Sequence, residues 1–341
     1  MVVVTGGTGY IGSHTVVELI EAGNSVTVLD DLSNSRIEVL DAIEEISGVR
    51  PKFYQVDLTD SVSLNRVFEE IGSETDSVIH FAAKKAVGES VANPLLYYKN
   101  NLEGLMNLLV QMGKHSVNKL VFSSSCTVYG QPDVIPVTEQ TKRKQAESPY
   151  GNTKSIAEDI ISDTAKSSSL KAISLRYFNP VGAHESGKIG ELPIGTPNNL
   201  VPYVTQTAAG VREKLTIYGD DYPTADGTCI RDYIHVVDLA KAHLNALERL
   251  NHLDNNRQNH ELFNVGTGKG YSVLEVVNTF KEATGVAVKY QIGPRREGDI
   301  TEIFADTSLA EKELNWKAEL SLFDSLKSSW NWEKNYRKLE E

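Results

Sequence analysis

The run Thr5-Gly6-Gly7-Thr8-Gly9-Tyr10-Ile11-Gly12 constrains this chain more than any other stretch. It follows Met1-Val2-Val3-Val4, which reads as a short buried strand of a parallel sheet. After it come Val16, Val17, Leu19 and Ile20 at helical spacing, with Gly23 where the helix should stop. The glycines fit both G-x-G-x-x-G (Gly7, Gly9, Gly12) and G-x-x-G-x-x-G (Gly6, Gly9, Gly12). Without Cβ atoms such a turn admits a pyrophosphate to the backbone, and the helix N-terminus offers it unpaired N–H groups. A second strand over 25–29 ends in Asp30-Asp31. An acid about 20 residues beyond the glycines accepts from the adenosine ribose of NAD and repels the 2′-phosphate of NADP. The nearest arginine is Arg36, beyond the strand end, so the expected cofactor is NAD.

The alternation of strand and helix continues. A third strand over 52–56 ends in Asp57-Leu58, placed to flank the adenine. Val62, Leu64, Val67, Phe68 and Ile71 make the apolar face of a helix. A fourth strand from Ser77 runs into Phe81-Ala82-Ala83, a small-residue turn beside the cofactor, followed by Lys84 and Lys85. His80 reads as a satisfied strand-end histidine. A long helix is expected over 94–114, in which Asn100 and Asn101, mediocre helix formers, are surface residues or ligands of a neighbouring loop. The fifth strand, 119–122, delivers Ser123-Ser124-Ser125 at its carboxyl end, which in an open parallel sheet faces the ligand crevice. Cys126 reads as a small buried side chain. A sixth strand covers 171–176.

Beyond it the rhythm breaks into a Gly-, Pro- and Asn-rich stretch over 179–200, too long for an idle loop. The expected architecture is α/β: a Rossmann-type doubly wound parallel sheet over 1–178, to which 237–265 returns. A smaller C-terminal α/β substrate-binding domain takes 179–236 and 266–341. Ser272/Glu275 and Ser308/Glu311 have capping-box spacing, and Trp316, Trp330 and Trp332 are expected to cover the C-terminal core.

Catalytic chemistry is suggested by Ser148-Pro149-Tyr150-Gly151-Asn152-Thr153-Lys154. Pro149 suits the first turn of a helix, and on that helix Tyr150 and Lys154 share a face at i, i+4 spacing. A phenol ordinarily holds its proton to about pH 10. A lysine ammonium one turn away is expected to lower that value, as would the positive charge of a nicotinamide, giving an acid/base suited to a sugar hydroxyl. Taken alone, Tyr-x-x-x-Lys is more often two exposed side chains. The Ser125 hydroxyl and the glycine turn give it meaning.

Composition narrows the partners. The 341 residues suffice for a large core, and 34 basic against 46 acidic side chains leave a formal charge of −12. Nucleic acid is therefore not an expected partner, and an anionic ligand would need local arginines. Arg231 and Arg296 are candidates, because paired guanidinium N–H donors match phosphate oxygens. Two cysteines exclude a disulfide framework and a cysteine-rich zinc site, and no metal is expected. No apolar run approaches the ~20 residues that span a membrane, and the chain opens on its first strand without room for a signal peptide. A cytoplasmic protein is expected.

With the glycine turn, Asp30-Asp31, Ser125, Tyr150 and Lys154, the chain resembles the extended short-chain dehydrogenase/reductases, and among them the UDP-hexose 4-epimerases. The specific stretches are 5–15, 85–90, 122–130, Arg176-Tyr177-Phe178-Asn179-Pro180-Val181-Gly182-Ala183-His184, 197–200, 231–236 and Arg295-Arg296-Glu297-Gly298-Asp299. The resemblance implies an NAD site lined by Gly6, Gly9, Tyr10, Ile11, Gly12, Asp30, Asp31, Leu32, Ser33, Asn34, Ser35, Asp57, Leu58, Phe81, Ala82, Ala83, Lys85, Asn100 and Phe178. Ser125, Tyr150 and Lys154 form the catalytic group in contact with it. On a UDP-hexose it places Lys85, Ser125, Tyr150, Tyr177, Asn179, Asn199, Leu200, Thr216, Ile217, Tyr218, Arg231, Arg296 and Asp299, with 215–218 beside the uracil and Asp299 on a ribose hydroxyl.

The implied reaction interconverts UDP-galactose and UDP-glucose through a 4-keto sugar that turns about its diphosphate link, with NAD retained. The implied assembly is a homodimer through the helices over 94–114 and 150–166. Two departures stand out. Phe81-Ala82-Ala83-Lys84-Lys85 replaces the usual Phe-Ala-Gly-Leu-Lys, and Cys126 replaces an alanine. A 4,6-dehydratase on this fold places Asp-Glu just after the active-site hydroxyl, where this chain has Cys126-Thr127-Val128-Tyr129, without a carboxylate. An N-acetylhexosamine or pentose 4-epimerase remains open through Ile303, intermediate in size at the position that limits the sugar. A non-catalytic NAD sensor would have lost one of the three catalytic side chains.

Overall fold

The computed structural model describes residues 1–253, 259–296 and 299–339, so that Glu297 and Gly298 of the arginine-rich run lie outside the described residues. In the first half β1 (Val2–Thr5), α1 (Tyr10–Glu21), β2 (Val26–Asp30), α2 (Val39–Ser47), β3 (Lys52–Gln55), α3 (Ser61–Ile71) and β4 (Ser77–His80) alternate. There follow α4 (Val87–Ala92), α5 (Pro94–Tyr98), α6 (Gly104–Lys114), β5 (Lys119–Ser125), α7 (Pro149–Ser167) and β6 (Lys171–Tyr177). The second half adds β7 (Asn179–Val181), α8 (Leu200–Ala208), β8 (Leu215–Tyr218), β9 (Ile230–His235), α9 (Val236–His252) and β10 (His260–Val265). The chain closes with β11 (Gly270–Ser272), α10 (Val273–Thr284), β12 (Tyr290–Gly293), β13 (Glu302–Ile303), α11 (Ser308–Glu313) and α12 (Leu322–Arg337).

Seven strands form one sheet in the order β10-β6-β5-β4-β1-β2-β3, with every neighbouring pair parallel. The order reverses between β1 and β4, so the crevice of this sheet opens at their carboxyl ends, above the glycine turn. Apolar strands such as Val2-Val3-Val4 are buried on both faces, because helices cover both. One layer, with α1 and α9, packs Val4, Val16, Leu19, Ile79, Leu239 and Phe263; the other, with α3, α6 and α7, packs Leu64, Phe68, Leu105, Leu108 and Ile161. Gly23 takes φ +83° just after α1 and ends it.

The long helix expected over 94–114 is interrupted. Between α5 and α6, Lys99–Glu103 form a π turn, the kind of local widening that re-aims side chains near functional sites. Here it presents Asn101 to the loop after β4.

The remaining strands build a smaller layer. β9 lies at its centre, parallel to β7 and β13 and antiparallel to β11, while β8 and β12 pair separately. Val204, Ile217, Tyr233, Val276, Phe280 and Leu326 are its core. Two expectations about the C-terminal part need amending, the cap of α11 and the place of Trp316. Ser272 and Glu275 form the capping box of α10, but Ser308 is the first residue of α11 rather than its cap; its N–H and hydroxyl both donate to Asp306, and the N-cap position, Thr307, makes no side-chain bond to the helix. A second capping box, Ser321 with Asp324, opens α12 instead. Trp316 belongs to the core beneath the large sheet, donating from Nε1 to the Asp238 carbonyl at 2.9 Å, whereas Trp330 packs edge-on against Phe280 in the smaller core.

Candidate active site

The glycine turn packs backbone directly against backbone. A Cβ on Gly6 would sit 2.8 Å from the Ala82 nitrogen, and one on Gly12 would overlap the Gly6 carbonyl oxygen. Gly6 also takes φ +71°, where an L side chain is strained. Gly9 caps α1 without any side-chain bond to the first turn, which leaves that end of the helix open to an anion. Asp30 is buried at the tip of β2 and accepts from the Thr8 N–H at 3.2 Å, the Leu32 N–H at 2.9 Å and the Ser35 hydroxyl at 3.0 Å. One carboxylate thus knits the glycine turn to the 31–35 loop, while Asp31 holds Ser33 through its N–H and hydroxyl. Leu32 adopts φ +61°, and Asn34 is exposed.

Asp57 turns back onto the Thr59 N–H and hydroxyl, both at 2.8 Å, with Leu58 buried beside it. Phe81 lies tilted against the buried His243 ring, centroids 4.7 Å apart. Tyr10 reaches out of α1 and donates to the Gly182 carbonyl at 2.7 Å, tying the cradle to the smaller layer, and Ile11 packs into the sheet core. Ala82 and Ala83 lie half-buried at the turn, and Phe178 is buried among Val128, Tyr129 and Ile303. His80 meets Thr5 Oγ1 through Nδ1 at 2.7 Å, a satisfied histidine as expected.

Two asparagines frame this cradle: Asn107, which the sequence reading did not single out, and Asn101, read there as a surface residue or a ligand of a neighbouring loop and found to be the latter. Asn107 of α6 donates to the carbonyls of Leu58 and Thr59. Asn101 accepts from the Lys84 N–H at 2.9 Å and donates to the Lys84 carbonyl at 3.0 Å and to Thr153 Oγ1 at 3.1 Å. It therefore clamps the loop after β4 to α7. Asn100 donates to Asn101 Oδ1 rather than to the loop itself. An asparagine inside a helix was the available signal, and the π turn explains which of the two faces inward.

At the carboxyl end of β5 the three candidate catalytic side chains come together. Ser148 caps α7, accepting from the Gly151 N–H at 3.2 Å, and Pro149 fills the first turn. Lys154 is buried, and its Nζ donates to the Ser123 carbonyl at 2.6 Å while lying 4.9 Å over the Phe122 ring. Burial lowers its pKa to about 7, against an upward pull from Glu158. The Tyr150 phenol is pushed up to about 12 by burial, with a hydrogen-bonding pull downward from Ser125.

The expected lowering of Tyr150 by Lys154 is therefore not what the protein alone displays. The ammonium is directed at a backbone carbonyl, and its own desolvation leaves it only partly charged at neutrality. The Cys126 thiol is raised to about 12 by burial, an inert neighbour.

Tyr177 is also buried. Its phenol pairs with the Ser123 hydroxyl, so the side chain expected on the sugar is held within the sheet.

At the other end of the crevice Arg296 donates to Asp299 Oδ1 at 2.9 Å, and Arg231 lies 3.7 Å from the same oxygen. The two guanidinium groups thus converge, as paired phosphate-binding residues should. Arg296 also lies over the Tyr218 ring at 5.9 Å. Within β8, Tyr218 and Thr216 face outward, whereas Ile217 is buried in the core and offers the crevice only its backbone. Asn199 donates to Glu191 Oε1 at 2.7 Å, and Lys85 pairs with the same oxygen at 3.3 Å. Leu200 opens α8 and Asn179 opens β7, both half-buried. Ile303 is buried against Val128, Tyr129 and Phe178.

A parallel sheet with a glycine turn at its switch point, and a Ser/Tyr/Lys group at the end of the adjacent strand, defines an extended short-chain dehydrogenase/reductase. The GDP-mannose 4,6 dehydratase family model matches residues 3–328. UDP-glucose 4-epimerase of Haemophilus influenzae is 50% identical over 335 residues, covering 98% of this chain and 97% of that protein. The structure of UDP-glucose-4-epimerase from Stenotrophomonas maltophila, with bound NAD and formylated UDP-arabinopyranose, matches with a TM-score of 0.94 at 46% identity over 99% of both chains. That of the Bifidobacterium longum enzyme, in complex with NAD+ and UDP, matches with a TM-score of 0.93 at 48% identity over 98% of both. The chain belongs to the UDP-glucose 4-epimerase family.

Proposed function

We propose that this protein interconverts UDP-galactose and UDP-glucose through a 4-keto intermediate. The observation that carries the reading is the placing of Ser125, Tyr150 and Lys154 together at the carboxyl end of β5, in a chain whose relatives at about half identity are UDP-glucose 4-epimerases. The cradle of Gly6, Gly9 and Gly12 with Asp30 fits NAD: its glycines leave the helix end open, and the acid is preset at the ribose position. NAD, when bound, supplies a reversible hydride acceptor and a positive charge near the phenol. Tyr150 takes the proton of the sugar 4-hydroxyl and returns it, Ser125 orients that hydroxyl, and Lys154 favours the phenolate when charged. Arg231 and Arg296 exchange Asp299 for the diphosphate and anchor it, leaving the hexose free to turn.

The division of labour follows the sheets. Residues 1–178 with 237–265 carry NAD, and 179–236 with 266–341 carry the nucleotide sugar. The exposed apolar side chains Val91, Leu95, Leu96, Met106 and Val110 on α4, α5 and α6 support a homodimer. No helix among the described residues is long and apolar enough to cross a membrane, and we place the protein in the cytoplasm. Dehydration is disfavoured because the turn after Ser125, Cys126–Tyr129, carries no carboxylate. Incubating the protein without added NAD with UDP-galactose and, separately, UDP-N-acetylgalactosamine tests the reading. Conversion of the first to UDP-glucose is expected; conversion of the second alone would reassign the substrate, and conversion of neither, with NAD bound, would leave a sensor.

A further inference from the structure

Arg231 is followed on β9 by a fully buried aspartate, Asp232. Among the described residues its partners are N–H groups and one hydroxyl. Oδ1 accepts from the Thr267 N–H at 2.9 Å and the Thr267 hydroxyl at 2.7 Å. Oδ2 accepts from the Gly268 N–H at 3.1 Å and the Ala305 N–H at 3.2 Å. Four donors fill the lone-pair sites of one carboxylate. Gly266 makes the room for it: a Cβ there would sit 2.5 Å from Asp232 Oδ2 and 2.9 Å from the Ala305 Cβ.

The bond to Ala305 falls where the sheet needs it. β13 runs parallel to β9 for two residues, Glu302 beside Ile230 and Ile303 beside Arg231. Just before it, the Ile230 N–H donates to the Thr301 carbonyl at 2.9 Å. Just after it the chain turns away from β9: the Val137 N–H donates to the Phe304 carbonyl at 3.0 Å, and the Asp306 N–H to the Val137 carbonyl at 2.8 Å. With its neighbours turned to Val137, the N–H of the buried Ala305 faces the other way, and the acceptor it meets is Asp232. The side chain thus carries the join between β9 and β13 on past the point where the backbone ladder stops. At its upstream end the same segment bears Asp299, the carboxylate on which Arg296 and Arg231 converge at 2.9 and 3.7 Å. How the segment lies along β9 therefore sets the spacing of the two guanidinium groups.

We infer that Asp232 is a positioning residue of the nucleotide-sugar site, which fastens the 299–305 segment to β9 and so holds Arg231 and Arg296 at the spacing a diphosphate needs. The inference rests on the reading of these arginines as the UDP anchor, and not on the epimerisation step. Its test is UDP binding to the full chain with retained NAD, followed by titration calorimetry for wild type, Asp232→Ala, Arg231→Ala and the double variant. Asp232→Ala is expected to weaken UDP about tenfold. KM for UDP-galactose should rise by the same factor, with kcat and retained NAD unchanged. In the Arg231→Ala background the same substitution should weaken UDP by less than about twofold, because nothing is left to position. Asp232→Asn should restore most of the affinity: its oxygen can keep Gly268 and Ala305 while its NH2 donates to the Thr267 hydroxyl. A purely structural role would lower the urea midpoint and cost UDP affinity equally in both backgrounds. That result, an unmoved UDP affinity, or an Asp232→Asn as weak as Asp232→Ala overturns the inference. Should Asp232→Ala fail to fold, Gly266→Ala displaces the same carboxylate from Ala305, and its coupling to Arg231→Ala decides in the same way. Wild type that binds UDP without converting UDP-galactose would overturn the epimerase reading and leave this inference standing. Wild type that does not bind UDP would overturn both.

Discussion

The two ends of the crevice handle charge differently. Where β5 meets α7, Lys154, Glu158 and Arg176 are all buried, and their polar atoms are matched to fixed protein partners. Where β9 meets the 299 segment, the Arg231 side chain is 15% exposed, Arg296 is 58% exposed, and both lean on one aspartate. A buried, fully matched group cannot change partners cheaply, so the first end suits a reaction that must be aligned in the same way on every turnover. Arg296, more than half exposed, exchanges one anion for another at little cost, which suits a diphosphate that arrives and leaves. The comparison assigns proton chemistry to the closed end and anchoring to the open one.

The largest expected effect breaks the closed end. Lys154→Met should lower turnover roughly 10²- to 10⁴-fold, the range for losing acid–base assistance, while raising stability. The folded pKa of Lys154, about 7, lies below the unfolded value of ~10.4, so between those values the unfolded chain binds the extra proton. Wild type therefore gains stability relative to the variant as pH rises through that window. Urea unfolding should show the variant's advantage in full below about pH 7 and its disappearance near pH 10.

Next in size is the open end. Arg231→Ala should raise KM for the UDP-sugar about 10- to 100-fold with kcat changed far less, from the ~1.5–3 kcal/mol of a hydrogen bond to a charged group. Arg296→Ala should cost less, being the more exposed of the pair. Equal effects on kcat from both arginines would erase the distinction between the two ends.

Much of this was legible from residue order. Valine strands, the glycine turn and its following helix place β1, α1 and β2, because each reports a local constraint: two-sided burial, backbone approach, helix stop. Tyr150 and Lys154 were legible because i, i+4 spacing on a helix fixes a shared face. Partner choice was not. That Lys154 turns to the Ser123 carbonyl, that Asn101 rather than Asn100 clamps the 84 loop, and that Ile217 faces the core all depend on strands and loops distant in sequence. Arg176 and Glu158 stand 18 positions apart and meet only because β6 lies beside β5.

The smallest predicted effect falls outside the crevice and serves as its control. Ser321→Ala removes the cap and half the capping box of α12 and should cost about 1 kcal/mol in urea unfolding, leaving kcat and KM alone. A change in either would mean that the helix ends and the crevice are coupled.

The account turns on the Tyr150 phenol as the group that moves the sugar proton. Turnover of UDP-galactose by Tyr150→Phe, with retained NAD quantified in the same sample, addresses it directly. Loss of at least about 100-fold in kcat with NAD still bound is expected; wild-type turnover in that variant would contradict the account.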